Sequence, residues 1–124
     1  LLNLMKTLLS VLLTVLLTAS AAVAQQAPAK GAKSTQQLQV KTSAVCDMCK
    51  ARLEKSLAYE KGVQGVVLDV PSQMLTVTFR PDKTTPEALR TAVQRTGYDA
   101  DAQPADTRAY DRLPDCCKKT NAVH

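Results

Sequence analysis

Between residues 37 and 103 the apolar side chains change their spacing in a set order, and that order constrains the fold more than any other feature of the chain. Residues 37–42 alternate polar and apolar through Leu38 and Val40, the period of a half-buried strand. Leu53 and Leu57 then sit four apart, with Cys49 one turn ahead of them. Arg52, Glu54, Lys55 and Glu60 take the other faces, so the segment reads as an amphipathic helix that Gly62 stops. Val66, Leu68 and Val70 alternate again, Pro71-Ser72-Gln73 turns the chain, and Leu75, Val77 and Phe79 return as an antiparallel partner. Thr84-Thr85-Pro86-Glu87 is a helix start, with a capping Thr, an early Pro and an acid in the first turn. Ala88, Leu89, Ala92 and Val93 supply the buried stripe of that helix, Gly97 ends it, and residues 98–103 are expected to close the pattern as a short strand.

Strand, helix, strand, strand, helix, strand within residues 36–103 predicts an α+β fold of the ferredoxin-like βαββαβ type. It implies a four-stranded antiparallel sheet with two helices on one face. Leu38, Val40, Leu53, Leu57, Val66, Leu68, Leu75, Val77, Phe79, Leu89 and Val93 are its expected core. Such a fold hosts many functions, so activity has to be argued from a site.

The flanks divide the rest of the chain. Lys6, the apolar run of residues 8–17 and the small-x-small triplet Ala22-Val23-Ala24 have the form of a secretory signal peptide over residues 1–24. The run is about half the ~20 residues that a membrane span needs, so no stable membrane insertion is expected after cleavage. The expected location is periplasmic or secreted, where disulfides are permitted. Residues 25–35 are polar, contain Pro28 and Gly31, and read as a flexible linker, while residues 104–124 form a C-terminal tail. One Phe, three Tyr and no Trp are too few for an aromatic nucleic-acid platform, and a net charge of +5 does not replace one. The lone His124 at the last position offers no partner for a nucleophilic Ser, and there is no Gly-rich phosphate loop. The chain reads as a binding module and not an enzyme.

The chemistry lies in Cys46-Asp47-Met48-Cys49, between the first strand and the first helix. Two thiols at this spacing can converge on one ion, and a helix start favours thiolate over thiol. Two soft sulfurs suit Cu(I) or a similar ion, but do not complete the four-ligand shell of Zn²⁺ or the oxygen shell of Mg²⁺. The same pair could instead serve thiol–disulfide exchange or form a structural disulfide. The chain lacks the further strands and the proline loop that a thioredoxin-type site needs.

The stretches QLQVKTSAVCDMCKARLEKSL, GVQGVVLDV, MLTVTF and TGYDA, in that order, resemble the heavy-metal-associated domain family. That family includes copper chaperones, copper-pump N-termini and a periplasmic mercury-binding protein. The resemblance implies a carrier of Cu(I), or of Hg(II) or another soft ion, with Cys46 and Cys49 as metal ligands. It also implies a metal-transporting membrane protein or another metal carrier as partner. A monomer is expected, with a metal-bridged dimer as the alternative. The family's Gly-Met-Thr before the first Cys is Ser43-Ala44-Val45 here. Met48 is expected either to turn inward and fill the space or to bring its thioether near the ion. Tyr98 stands where many members carry an aromatic beside the metal loop, and either shields the site or packs at a strand edge with a wet hydroxyl.

The tail adds Cys116 and Cys117, after residues 107–113, which suit a short helical turn stopped by Pro114. Adjacent cysteines do not readily bond to each other. They are candidates for a second metal site, for auxiliary ligands of the first, or for cross-disulfides with it. Otherwise they belong to a loose chain end. The basic residues Lys50, Arg52, Lys55 and Lys61 near the first helix are expected to be mainly a solvated face.

Overall fold

The computed structural model describes residues 1–7 and 34–124. Residues 2–7 are helical. The remainder of the expected signal peptide, and nearly all of the expected linker, lie outside the described residues. Among the described residues no helix is long and apolar enough to cross a membrane.

Three strands pair antiparallel in the order β1 (Gln36–Lys41), β3 (Met74–Phe79), β2 (Val63–Asp69). Their register aligns the apolar positions in rows across the sheet. Val40 faces Leu75, which faces Leu68, and Leu38 faces Val77, which faces Val66. A bulge between Val63 and Gly65 skips Gln64, so that apolar Val63 and not a glutamine stands opposite Phe79. The same register puts Gln39, Thr76 and Val67 in one row of the other face, where Val67 is exposed.

Helix α1 (Asp47–Ala58) buries Cys49, Leu53 and Leu57, and α2 (Pro86–Thr96) buries Leu89, Ala92 and Val93. Both stripes join the inward sheet residues in one cluster. Every member of the expected core is buried in that cluster, except Leu38 and Val66, which pack against it half-buried. Helix α2 starts and stops as its sequence predicts. The Thr85 hydroxyl accepts from the Ala88 N–H at 3.2 Å, Pro86 opens the helix, and Gly97 adopts the left-handed conformation at φ 110°. Ion pairing ties α1 to β2, since the Glu54 carboxylate meets the Lys50 ammonium and accepts from the Leu68 N–H at 3.0 Å.

The expected fourth strand is not formed. Among the described residues the sheet has three strands, and the segment after α2 contributes only the isolated bridges Thr42–Ala100 and Ala100–Gln103. The reason is local. Asp101 takes a left-handed φ of 52°, and the Ala100 N–H donates to the Gln103 carbonyl at 2.9 Å, so the chain folds back at once. Asp101 itself satisfies the β1 edge at Lys41, giving its N–H to the Lys41 carbonyl at 2.8 Å and accepting the Lys41 N–H on its carboxylate at 2.9 Å.

The chain after residue 103 is built onto this body. Helix α3 (Thr107–Asp111) is capped by the Asp106 carboxylate, packs on α2, and is followed by a 3-10 turn at Asp115–Cys117. Leu113 and Cys117 belong to the same buried cluster as the sheet and the two long helices.

Candidate metal centre

The loop that carries the first cysteine pair is braced from the hairpin beneath it. The Gln73 side-chain amide donates to the Ala44 carbonyl at 2.8 Å, while the Gln73 carbonyl accepts from the Thr42 N–H and hydroxyl at 2.9 and 3.0 Å. Ser43 accepts the Asp99 N–H at 2.9 Å, and Ala44 and Val45 are buried. Cys46 then sits at the N-cap of α1 in extended conformation, and its carbonyl accepts the Lys50 N–H. Three residues on, within the first turn, Cys49 turns inward. The two sulfurs stand 3.2 Å apart, beyond a disulfide bond of about 2.05 Å, and both thiols are free.

Tail residues complete the surroundings. The Cys117 sulfur lies 4.0 Å from that of Cys46 and is fully buried. The Cys46 thiol also faces the Cys116 carbonyl at 3.6 Å. Cys116 itself is exposed, with its sulfur 4.0 Å from Cys117 and 3.7 Å from the Met48 thioether. The sulfurs of Cys46, Cys116 and Cys117 all lie within 4.8 Å of one another. Met48 is 51% exposed, so it fills no core space, and the nearest sulfur contact of its thioether is to the exposed Cys116. Tyr98 is wholly buried, which agrees with the shielding alternative and not with a wet edge residue. Its hydroxyl lies toward Cys49 and Cys117, close enough to bias both thiols but without a formed hydrogen bond among the described residues.

Burial opposes ionisation throughout this cluster, and hydrogen bonding decides which thiol overcomes it. Cys49 is desolvated, yet the Val45 backbone, the Tyr98 hydroxyl and the Cys46 and Cys117 thiols hold it below the ordinary thiol value. The helix N-terminus acts in the same direction. Burial raises Cys46, and burial together with neighbouring Cys49 pushes Cys117 up to about 12. Cys49 is therefore the thiol of the cluster that gives up its proton most readily, and a soft cation bound here displaces protons from its sulfur ligands.

The other candidates stay outside the cluster. The His124 ring hydrogen-bonds the nearby Ala122 carbonyl at 2.9 Å, while its backbone N–H donates to the Val45 carbonyl at 2.8 Å. Lys50 is engaged by Glu54 and by the Leu68 carbonyl, whereas Arg52, Lys55 and Lys61 are exposed. The closing contact from His124 to the metal loop had no signal in the sequence, because a backbone amide at a chain end carries no pattern.

Comparison with known proteins agrees with this chemistry. Residues 35–99 match the heavy-metal-associated domain. A copper-exporting P-type ATPase of Staphylococcus aureus (strain JH9) is 34% identical over 59 residues, which are 48% of this chain and 7% of that protein. The chain therefore matches only a small part of the length of these curated relatives. Among solved structures, oxidized MerP from Ralstonia metallidurans CH34 superposes with a TM-score of 0.53 at 25% identity, covering 55% of this chain and 96% of that one. A CopZ metallochaperone shares the fold, with a TM-score of 0.51 at 21% identity over 52% of this chain and 98% of that one. The matched stretch holds Cys46, Cys49 and Tyr98 and ends before the tail cysteines, and through it the chain belongs to the heavy-metal-associated domain family.

Proposed function

We propose that this chain is an exported carrier of a soft metal ion, with Cu(I) as its first cargo and Hg(II) as the next, held by the Cys46 and Cys49 thiolates. The observation that carries this reading is the pair of free sulfurs 3.2 Å apart at the start of α1, in a family fold whose relatives include a copper-exporting ATPase. Two soft donors favour a monovalent d¹⁰ cation over Zn²⁺ or Mg²⁺, which need more ligands or harder ones. The protein binds and hands on, or sequesters, its ion and catalyses no reaction. Transfer proceeds by ligand exchange, in which a partner thiolate joins the ion before one of the original sulfurs leaves. A metal-transporting membrane protein or a second carrier supplies that thiolate. Export rests on Lys6, the apolar run after it and the Ala22-Val23-Ala24 triplet.

The test is a Cu(I) titration of the reduced chain against a chromophoric chelator, beside the Cys46→Ser/Cys49→Ser double variant. Tight one-to-one uptake that disappears in the variant supports the reading, and uptake indifferent to the substitutions sinks it. Thiol–disulfide exchange by the same pair predicts catalysed insulin reduction, which a carrier does not show.

A further inference from the structure

The two-sulfur reading leaves the tail cysteines unused, and the segment that carries Cys117 is held to the domain by several contacts. Leu113 and Cys117 are buried in the core of the domain. The Lys119 ammonium pairs with the Asp99 carboxylate at 3.1 Å, and the His124 N–H donates to the carbonyl of Val45, the residue before Cys46. The Cys117 N–H is itself fixed by the Pro114 carbonyl at 2.8 Å. None of these contacts involves a sulfur, so the backbone delivers Cys117 to the centre before any ion arrives.

We infer that Cys117 is a third sulfur ligand of the Cys46–Cys49 centre, so that the soft cargo rests between three thiolates. This deepens the carrier reading and depends on it. The spacing between Cys46 and Cys117 supports a third sulfur. With metal–thiolate bonds of about 2.3 Å, the sulfurs of a trigonal site stand about 4.0 Å apart, and those of a linear site about 4.6 Å. Cys46 and Cys117 already stand 4.0 Å apart. From its 3.2 Å, the Cys46–Cys49 pair opens less to reach the trigonal spacing than the linear one. The Tyr98 hydroxyl is a second, independent sign. A fully buried hydroxyl without a partner is rare, and this one faces the Cys49 and Cys117 sulfurs, where it would donate to thiolates once an ion had displaced their protons. Cys116 lies close enough to be considered, but its sulfur is exposed and turned to Met48, at the rim of the buried cluster.

A third resident sulfur changes how cargo leaves. The bond from the ion to Cys117 breaks as the bond to an incoming thiolate forms, and the proton released by the incoming thiol passes to Cys117. The sulfur count and the net charge at the ion are unchanged through the exchange.

X-ray absorption at the copper edge counts the sulfurs around one equivalent of Cu(I) on the reduced full chain. Three sulfurs are expected in the wild type and in Cys116→Ser, and two in both Cys117→Ser and Cys117→Ala. Affinity against a chromophoric chelator should fall about tenfold in the two Cys117 variants. Two sulfurs in the wild type, or three retained in both Cys117 variants, overturns the third ligand while leaving the two-cysteine carrier intact. A wild-type count of two overturns the third ligand even if a variant folds poorly, and a count of two in Cys116→Ser assigns the third sulfur to Cys116 and overturns Cys117 in that role. Binding that survives the Cys46→Ser/Cys49→Ser substitution overturns both readings.

Discussion

Tyr98 shows how one side chain can be set for the bound state at the expense of the free one. Its ring fills core volume, while its hydroxyl is buried without a partner among the described residues. An unsatisfied buried hydroxyl costs about 1–3 kcal/mol, so Tyr98→Phe should leave the metal-free protein as stable as before or more stable by about 1 kcal/mol. The same change removes a hydroxyl dipole that favours the Cys49 thiolate, which then forms at higher pH. The expected result is an unchanged or higher urea midpoint, together with an alkylation rate at Cys49 whose pH profile moves upward. A lower midpoint with an unmoved profile would show that the hydroxyl serves packing alone. Ala44 is instructive in a different way. Of the two places expected for Met48, filling the space beside Ala44 or lying near the ion, the first is not taken: Met48 stays outside, and the buried cluster includes Val45, Tyr98 and Cys117.

At the scale of elements, the polar ties of α1 to β2 meet at Leu68, whose N–H donates to the Glu54 carboxylate and whose carbonyl accepts from Lys50. Burial alone would raise Glu54, but the hydrogen bond from Lys50, the Leu68 N–H and the Lys50 charge outweigh it and hold the carboxyl below its ordinary value. A depressed carboxyl stabilises the fold above its unfolded value of about 4.5, and that contribution is lost as pH falls through the lower folded value. The unfolded chain binds more protons in that window, so stability must rise with pH across it. Glu54→Gln should therefore lower stability at neutral pH by about 1 kcal/mol and flatten the acid limb of a stability–pH curve. Parallel acid limbs in the two proteins would contradict this role. The elements themselves were legible in the sequence to within a few residues, because period-two and helical spacing are properties of neighbours along the chain. Two features were not. The bulge at Gln64 sets Val63 opposite Phe79, a pairing made across the sheet and not between neighbours along the chain. The missing fourth strand follows from the left-handed turn at Asp101, whose carboxylate meets the β1 edge.

On the scale of the whole molecule, the decisive contact is the approach of the tail to the end of α2. A Cβ at Gly97 would stand 3.0 Å from the Ala109 carbonyl and 3.1 Å from the Leu113 side chain, on a backbone already at φ 110°. Gly97→Ala should cost roughly 1–2 kcal/mol in backbone strain. It should also loosen the tail, seen as a lower urea midpoint and as faster reaction of Cys117 with a thiol reagent in the folded protein. A midpoint and a Cys117 reactivity equal to wild type would mean that the tail docks without that clearance.

The sequence by itself determined the order of the first three strands and the two long helices, the placing of Cys46 and Cys49 at a helix start and the family resemblance. Each of these depends on residues a few positions apart, and local spacing encodes them. It left open what the tail does. Cys46 and Cys117 are 71 positions apart, and nothing in either neighbourhood specifies the other. Their meeting depends on the Gly97 clearance, the burial of Leu113 and the bond from His124 to Val45 acting together, and only the packed tertiary structure decides that.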